Sequence, residues 1–417
     1  MHEVDVVVIG AGAAGLAAGE ALAASGLSFA VLEAKSRVGG RAWTDERIFP
    51  GIPFDRGCHW LHSASRNPFR EAADRLGIAY ETRGTRRSAS LYLDGAKATS
   101  AEATAAWDAV EAAFEAAEAA GAAGRDVAAE SLCDTAGPWW PLARHWMTLL
   151  SSLPPERIST LDLAAYADTG ENWPVVEGYG ALVARVAAGV PVHLDVTVRE
   201  IDRTAARVAV TTDRGTLSAR CVILTVSTNV LTGGAIRMTP QLPDEVLQAA
   251  ADCPLGVAEK VAFLLDAPLT GVANTSYIDT MTPATPARAP INFVLNHFGH
   301  PVIVAQMCGE TARGLQAEGE AAMVDFAKAA LKDCFGADIG RRIRRATATH
   351  WTTDAHVGGA YSCALPGRAA ARAVLRQGVD ERVLLAGEAV SATAYSTAHG
   401  ARESGLEAAR RARGALT

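Results

Sequence analysis

Residues 5–41 read DVVVIGAGAAGLAAGEALAASGLSFAVLEAKSRVGGR, and this stretch decides the fold. Its first five residues form an apolar run that stops at Gly10, as a buried parallel strand does. From Ala13 to Ala24 the pattern is helical and rich in Ala and Leu, and Ser25-Gly26 is a glycine-type stop. SFAVL at 28–32 is a second strand that closes on Glu33. Strand, Gly-rich turn, helix, strand and acid together make one βαβ unit. Gly10, Gly12 and Gly15 follow the GxGxxG spacing in the required place, after a strand and opening a helix. Gly10 permits the tight turn, Gly12 lets the backbone approach a pyrophosphate, and Gly15 lets the helix sit close to the strand. The helix N-terminus offers N–H groups and a positive dipole end to phosphates. Glu33 is placed to accept ribose hydroxyls and disfavours a 2′-phosphate, so an ADP-containing cofactor other than NADP is expected.

Outward from this unit, Arg37-Val-Gly39-Gly40-Arg41 brings two glycines and two arginines to the far side of the same pyrophosphate. Near the other end of the chain, RVLLAGE is a strand ending at Gly387-Glu388, and Thr397 can cap a helix running to about Arg413. A helix N-terminus aimed at an isoalloxazine ring would stabilise the negative charge of reduced flavin. Strands return from Val190: PVHLDVTVREI, RVAVTT and RCVILTV, with a hairpin signal at Asp213-Arg214-Gly215. The opening and closing thirds therefore read as one nucleotide-binding domain interrupted by insertions.

The first insertion, roughly 70–180, is helical. Over 101–124, Trp107, Val110 and Phe114 read as a core stripe, with Glu111, Glu115 and Glu118 facing water. The second insertion, 255–350, mixes strands and helices and includes INFVL and VIVAQM, joined by a turn at NHFGHP. In LGVAEKVAFLLD, residues 257–265 read as a strand with Lys260 on the face of Ala258, Ala262 and Leu264. An ammonium on so apolar a face either sits at an edge and reaches water or is kept inside for a purpose.

At 417 residues the chain is long enough for two or three domains. Asp plus Glu exceeds Lys plus Arg by 46 to 39, a net charge of −7, which argues against nucleic acid or an anionic membrane as partner. No secretory signal, membrane span or C-terminal anchor is expected. The seven cysteines form no CxxC pair and read as free thiols in a reducing cytoplasm, with no metal site.

The blocks VVVIGAGAAGLAA…VLEAKSRVGGRAWT, FDRGCHWLH, RCVILTVSTNVL, HWTTDAHVGGAYS and LLAGE…STAHGARESGLEAA, in this order, resemble the flavin-containing amine oxidases. The local motif WLHSASRNP is most similar to polyamine oxidases. The resemblance implies a two-lobed α/β fold. A discontinuous Rossmann-like FAD domain would comprise 1–70, 180–232 and 352–417, and a mixed sheet-plus-helices substrate domain 71–179 and 233–351. It implies FAD contacts at Gly10, Gly12, Ala14, Gly15, Glu33, Ala34, Lys35, Gly40, Arg41, Gly57, Cys58, His59, Trp60, Val198, Trp351, Gly387, Glu388 and Thr397. Lys260 would hold a water near flavin N5, and His62 would position or deprotonate the amine. Tyr361 would be one wall of an aromatic cage. Thr397 holds the second cage position, with Tyr395 two residues earlier, and Glu171 would meet a distal charge of the substrate, with Asp168 and Glu177 in the same segment.

Ala360 stands where monoamine oxidases carry the cysteine that bonds the flavin, so noncovalent FAD is expected. The implied reaction passes hydride from a primary or secondary amine, polyamines included, to flavin N5. Water hydrolyses the imine and dioxygen is reduced to hydrogen peroxide. An amino-acid oxidase or monooxygenase of the same superfamily, with Arg66 or Arg144 clamping a carboxylate, stays open, as does a noncatalytic FAD-binding protein. Monomer and homodimer both stay open.

Overall fold

The computed structural model describes residues 2–82, 90–283 and 288–417. The opening unit folds as its pattern dictates: strand His2–Ile9, helix Ala13–Ala23 and strand Phe29–Leu32. The first strand lies parallel to Phe29–Leu32 on one side and to Gly215–Leu224 on the other. Gly215–Leu224 also pairs in parallel with Val383–Leu385, so the last strand of the chain joins the first sheet. Both faces of this sheet are covered, which is why the inner half of its first strand, Val6 to Ile9, is continuously apolar. Val6 and Val8 face one core with Leu16, Leu22 and Ala408, whereas Val7 and Ile9 face another with Val246 and Leu375.

The final helix, Ala398–Leu416, packs on helix Ala13–Ala23. Gly405 permits this closeness, and Gly15 permits that of the first helix to the turn before it. A Cβ on Gly405 would stand 2.0 Å from the Ala14 carbonyl oxygen, and one on Gly15 would stand 1.8 Å from the Gly10 oxygen. Neither backbone atom can yield, so Gly15→Val is expected to cost at least the ~1–3 kcal/mol of an overpacked core. It should also leave the protein with markedly less bound flavin after purification, measured by absorbance ratio.

The second sheet runs, among the described residues, in the order Ile343–Ala348, Ala258–Leu265, Val302–Cys308, Arg288–Leu295, Ser276–Thr282, Ser90–Leu93 and Ala96–Lys97. It draws strands from both insertions, so segments far apart in sequence build one substrate-side body. The hairpin expected at NHFGHP joins Arg288–Leu295 to Val302–Cys308. Helices Gly309–Glu318 and Glu320–Phe335 cover one face through Val261, Phe263, Ile303 and Met323. The opposite face, carrying Lys260, is left for the functional cavity.

The segment after residue 232 departs from the expected division. Strand Arg237–Thr239 pairs with Val198–Asp202 in the first sheet, and Val246, Ala249 and Ala250 of helix Asp244–Asp252 pack into that sheet's core. Three residues are too short a signal to read as a strand from sequence. Among the described residues, no helix is long and apolar enough to cross a membrane, and no cluster of side chains has metal-ligand character. All seven cysteines are free.

Candidate active site

One cavity of about 1090 Å³ runs between the two sheets. At one end its walls are Gly10, Gly12, Ala13 and Ala14 of the first turn, Glu33, Ala34 and Lys35 after the second strand, Gly39 to Ala42, Thr197 to Arg199, and Gly387 with Glu388. The two glycine turns touch: a Cβ on Gly40 would lie 3.2 Å from the Gly12 Cα, and Gly39 N–H donates to the Ala11 carbonyl at 2.8 Å. Gly10, Gly39 and Gly40 all take positive φ, which explains their glycines. Glu33 is buried and accepts from the N–H groups of Ala11 (2.8 Å) and Lys35 (2.9 Å), which keeps its carboxylate at the cavity wall.

Thr397 caps the final helix, its hydroxyl accepting from Gly400 N–H at 3.0 Å and donating to the Ala394 carbonyl at 2.6 Å. A 19-residue helix therefore presents its positive end to the cavity. Such a groove, glycine-walled at a helix N-terminus with an acid at the ribose end, fits FAD. Gly15 does not line the cavity; its place is between helix and strand.

Glu388 holds this wall together. Its carboxylate accepts from Arg41 (2.9 Å), from the Ser362 hydroxyl (2.6 Å) and from Ser396 N–H (2.9 Å). Burial pushes its pKa up, but Arg41, Ser362 and Arg372 outweigh burial and hold it below the usual carboxylate range. Behind it, and unsuspected from sequence, Arg372 makes a bidentate pair with Asp162 at 2.6 and 2.8 Å. The guanidinium lies 3.9 Å from the Tyr395 ring centroid. Tyr395 donates its hydroxyl to the Asp162 carbonyl at 2.6 Å, so this pair fixes one aromatic wall of the cavity.

Lys260 shares the face of Ala258, Ala262 and Leu264, as alternation predicts, and that face borders the cavity. Its ammonium donates to the carbonyls of Asp55 (2.8 Å) and Gly57 (2.7 Å). Burial lowers its pKa to about 8, against the attraction of Asp55. Sheet pairing sets Asp279, Asn292, Gln306 and Lys260 side by side on four adjacent strands, and all four line the cavity. Trp351 stands nearby, donating its indole N–H to the Arg56 carbonyl at 3.1 Å, and Lys35 pairs with Asp354.

The loop before Lys260 is organised by Asp55, which the sequence reading did not single out. Its carboxylate accepts from the Thr44 hydroxyl (2.6 Å), Tyr179 N–H (2.9 Å) and the His59 ring (3.0 Å). Burial alone would raise its pKa, but His59, Lys260 and Thr44 hold it below the ordinary value. Gly57, Cys58, His59, Trp60 and His62 all reach the cavity, and Asn172 Oδ1 holds His62 at Nδ1. Tyr361 lines the cavity with its hydroxyl bonded to the Leu149 carbonyl.

One expectation needs correction, and another holds but is incomplete. Glu171 does not line the cavity. It accepts from Ser65 N–H (2.9 Å) and the Thr169 hydroxyl (3.1 Å), and its neighbours Asp168 and Asn172 face inward instead. Glu177 is likewise spent on Arg185. The stripe of helix Ser100–Ala122 that packs on the protein is Ala106, Val110, Ala113, Ala117 and Ala120. Trp107 and Phe114, half-buried, pack against the same core as expected and also line the cavity together with the exposed Glu111, Glu115 and Glu118. Small alanines and Gly121 let the helix approach closely, and that rotates the aromatic edge toward the open space.

The fold and groove define a FAD-binding oxidoreductase. More particularly, the chain belongs to the flavin-containing amine oxidoreductases, whose family profile matches residues 13–413. It is 28% identical to polyamine oxidase 4 of Oryza sativa subsp. japonica, over 97% of this chain and 88% of that one. To the probable polyamine oxidase 4 of Arabidopsis thaliana it is 27% identical, over 97% and 86%. It is 25% identical to the human lysine-specific histone demethylase 2, over 98% of this chain but only 53% of that protein. The protein is thus an amine-acting flavoenzyme.

Proposed function

We propose that the chain oxidises a di- or polyamine. The observation that carries this reading is the charge along the cavity. Asp108, Glu111, Glu115, Glu118 and Asp168 line its more exposed part and Asp279 its buried sheet floor, whereas every described Lys or Arg on the lining (Lys35, Arg41, Arg56, Arg199, Lys260) belongs to the cofactor groove or stands beside it. A substrate with a second ammonium far from the reacting carbon matches this partition. Glu118 illustrates the crowding: burial, Asp168 and Glu115 all raise its pKa. Neither Arg66 nor Arg144 lines the cavity, and Arg144 is paired with Glu130 and Glu156, so an amino-acid carboxylate has no clamp at either position.

Bound in the groove, FAD supplies the two-electron oxidation of the amine and passes the electrons to dioxygen. The protein's residues bind, orient and move protons. Trp351, Tyr361 and Tyr395 wall the reacting amine, and only its neutral form can lose hydride. With Nδ1 donating to Asn172, His62 keeps Nε2 as the basic nitrogen for that deprotonation. Lys260 serves the oxygen step.

Anaerobic mixing with di- and polyamines, monoamines and amino acids tests the reading. Flavin bleaching should be fastest with di- or polyamines, and bleaching by amino acids alone would overturn it.

FAD should be noncovalent. Ala360 supplies no thiol, and burial pushes the thiol pKa of Cys58 up to about 12 and that of Cys363 higher still. Acid precipitation should therefore leave the yellow colour in the supernatant.

A further inference from the structure

The second sheet carries a polar row across its cavity face. Lys260 pairs with Gln306, Gln306 with Asn292 and Asn292 with Asp279, each on the neighbouring strand. All four line the cavity, although Gln306, Asn292 and Asp279 are at most 7% exposed. On the opposite face the adjoining residues Val261, Ala305, Phe293 and Ile278 are apolar and packed in the core, so polarity at this level of the sheet is confined to the cavity side. Three strand-to-strand steps separate Asp279 from Lys260, roughly 14 Å at the ~4.8 Å spacing of a sheet.

Asp279 ends the row. Its carboxylate accepts from the Trp146 indole N–H at 3.1 Å. The Trp146 and Trp107 rings stand 5.4 Å apart, centroid to centroid, and both line the cavity. A buried carboxylate beside two indoles has the chemistry of an ammonium site. Its charge attracts with little water to screen it, and aromatic faces attract cations. The acids around it, Asp108, Glu111, Glu115, Glu118 and Asp168, are exposed, where water and salt weaken them. Of the other buried carboxylates on the lining, Glu33 and Glu388 belong to the cofactor groove, and Glu259 is taken up by the Thr349 and Thr352 hydroxyls at 2.5 and 3.1 Å.

The floor between the two ends is polar as well. Asn292 gives an amide N–H to Gln306 Oε1 at 3.0 Å, and no hydrogen bond uses its Oδ1. A buried acceptor left open in this way suits a chain that carries a nitrogen between its ends.

We propose that Asp279, flanked by Trp146 and Trp107, binds the far ammonium of a long linear amine, so that the polar row sets the length of substrate. This rests on the amine-oxidising reading, in which Lys260 marks the reacting end. An extended chain of tetrahedral single bonds advances about 1.25 Å per bond. Two nitrogens separated by five bonds, as in a four-carbon diamine, span about 6 Å and fall short of Asp279. Nine bonds span about 11 Å, and a charge-assisted hydrogen bond of ~2.8 Å completes the distance. The class selected is a triamine, or a diamine of equal span, over a short diamine. The middle nitrogen of such a triamine passes over Gln306 and Asn292.

The holoenzyme is titrated anaerobically with α,ω-diaminobutane, α,ω-diaminohexane, α,ω-diaminooctane and octylamine, followed at the flavin absorbance. Each Kd comes from saturation of bleaching or, where nothing is oxidised, from the spectral shift of bound flavin. Affinity should rise along the diamine series. Diaminooctane should bind about 30-fold or more tighter than diaminobutane, and by the same factor tighter than octylamine, which lacks the second charge. Asp279→Asn keeps an acceptor for Trp146 and removes the charge. In that variant the preference for diaminooctane over octylamine should fall to within about threefold. Equal Kd values across the wild-type series, no binding of diaminooctane, or an unchanged preference in Asp279→Asn would overturn the proposal. If the variant holds no flavin, the wild-type comparison of diaminooctane with octylamine decides alone. Absence of bleaching with this Kd pattern intact would instead sink only the oxidation reading.

Discussion

Asp162→Ala should lower the unfolding free energy by about 3–5 kcal/mol, because it leaves the Arg372 guanidinium buried without its partner. Both side chains are 4% exposed or less. Arg372 would keep hydrogen bonds to the Ser362 hydroxyl and the Ala389 carbonyl, at 2.9 and 3.1 Å, but neither carries charge. The same carboxylate also accepts from Ala364 N–H at 2.9 Å, so a buried backbone donor is orphaned as well. The measurement is the denaturant midpoint together with release of flavin fluorescence. Loss of flavin should accompany or precede unfolding, since Arg372 and Glu388 share Ser362 and Tyr395 packs on the guanidinium. Removing both charges in Asp162→Leu/Arg372→Met should restore much of the loss, because no unpaired ion then remains. A single-variant cost under ~1 kcal/mol, the range of an exposed pair, would contradict this account.

Lys260→Met should reduce turnover by about 10²-fold or more while FAD stays bound. Methionine keeps the length and apolar stem of the side chain and removes the donors to Asp55 and Gly57. The pH profile separates charge from packing. With a pKa of about 8, Lys260 is an ammonium below that pH and a neutral amine above it. Any step that needs the ammonium is present at lower pH and is lost as pH rises through about 8. That inflection should vanish in Lys260→Met. A variant that keeps both the wild-type rate and the inflection would remove Lys260 from the oxygen step.

The cofactor end of the site was legible because its determinants are contiguous. Gly10, Gly12, Gly15 and Glu33 lie within one βαβ unit, where turn, helix cap and strand end are set by neighbours in sequence. For Lys260 strand alternation fixed only the face it shares with Ala258, Ala262 and Leu264, opposite the residues covered by helices, and its place in the site came from the family resemblance. Glu171 failed because a loop carboxylate carries no periodicity, and one residue's turn decides between a capping role and the cavity. Trp107 and Phe114 do pack on the core as their spacing predicts, but that they also border the cavity was hidden, because a helix made largely of alanine offers several faces that can pack and the choice depends on what it meets.

The sequence by itself determined the nucleotide-binding unit and the strand face that Lys260 shares with Ala258, Ala262 and Leu264, both consequences of local backbone geometry and short-range pattern, while its motif blocks carried the resemblance that implied flavin. Only the tertiary structure decided the rest of the site. Asp162 meets Arg372 across 210 residues, Trp146 meets Asp279, and the carboxylates of one insertion meet the sheet of the other. Such pairs are fixed by how two sheets and their covering helices close over a common space, and no spacing along the chain encodes that distance.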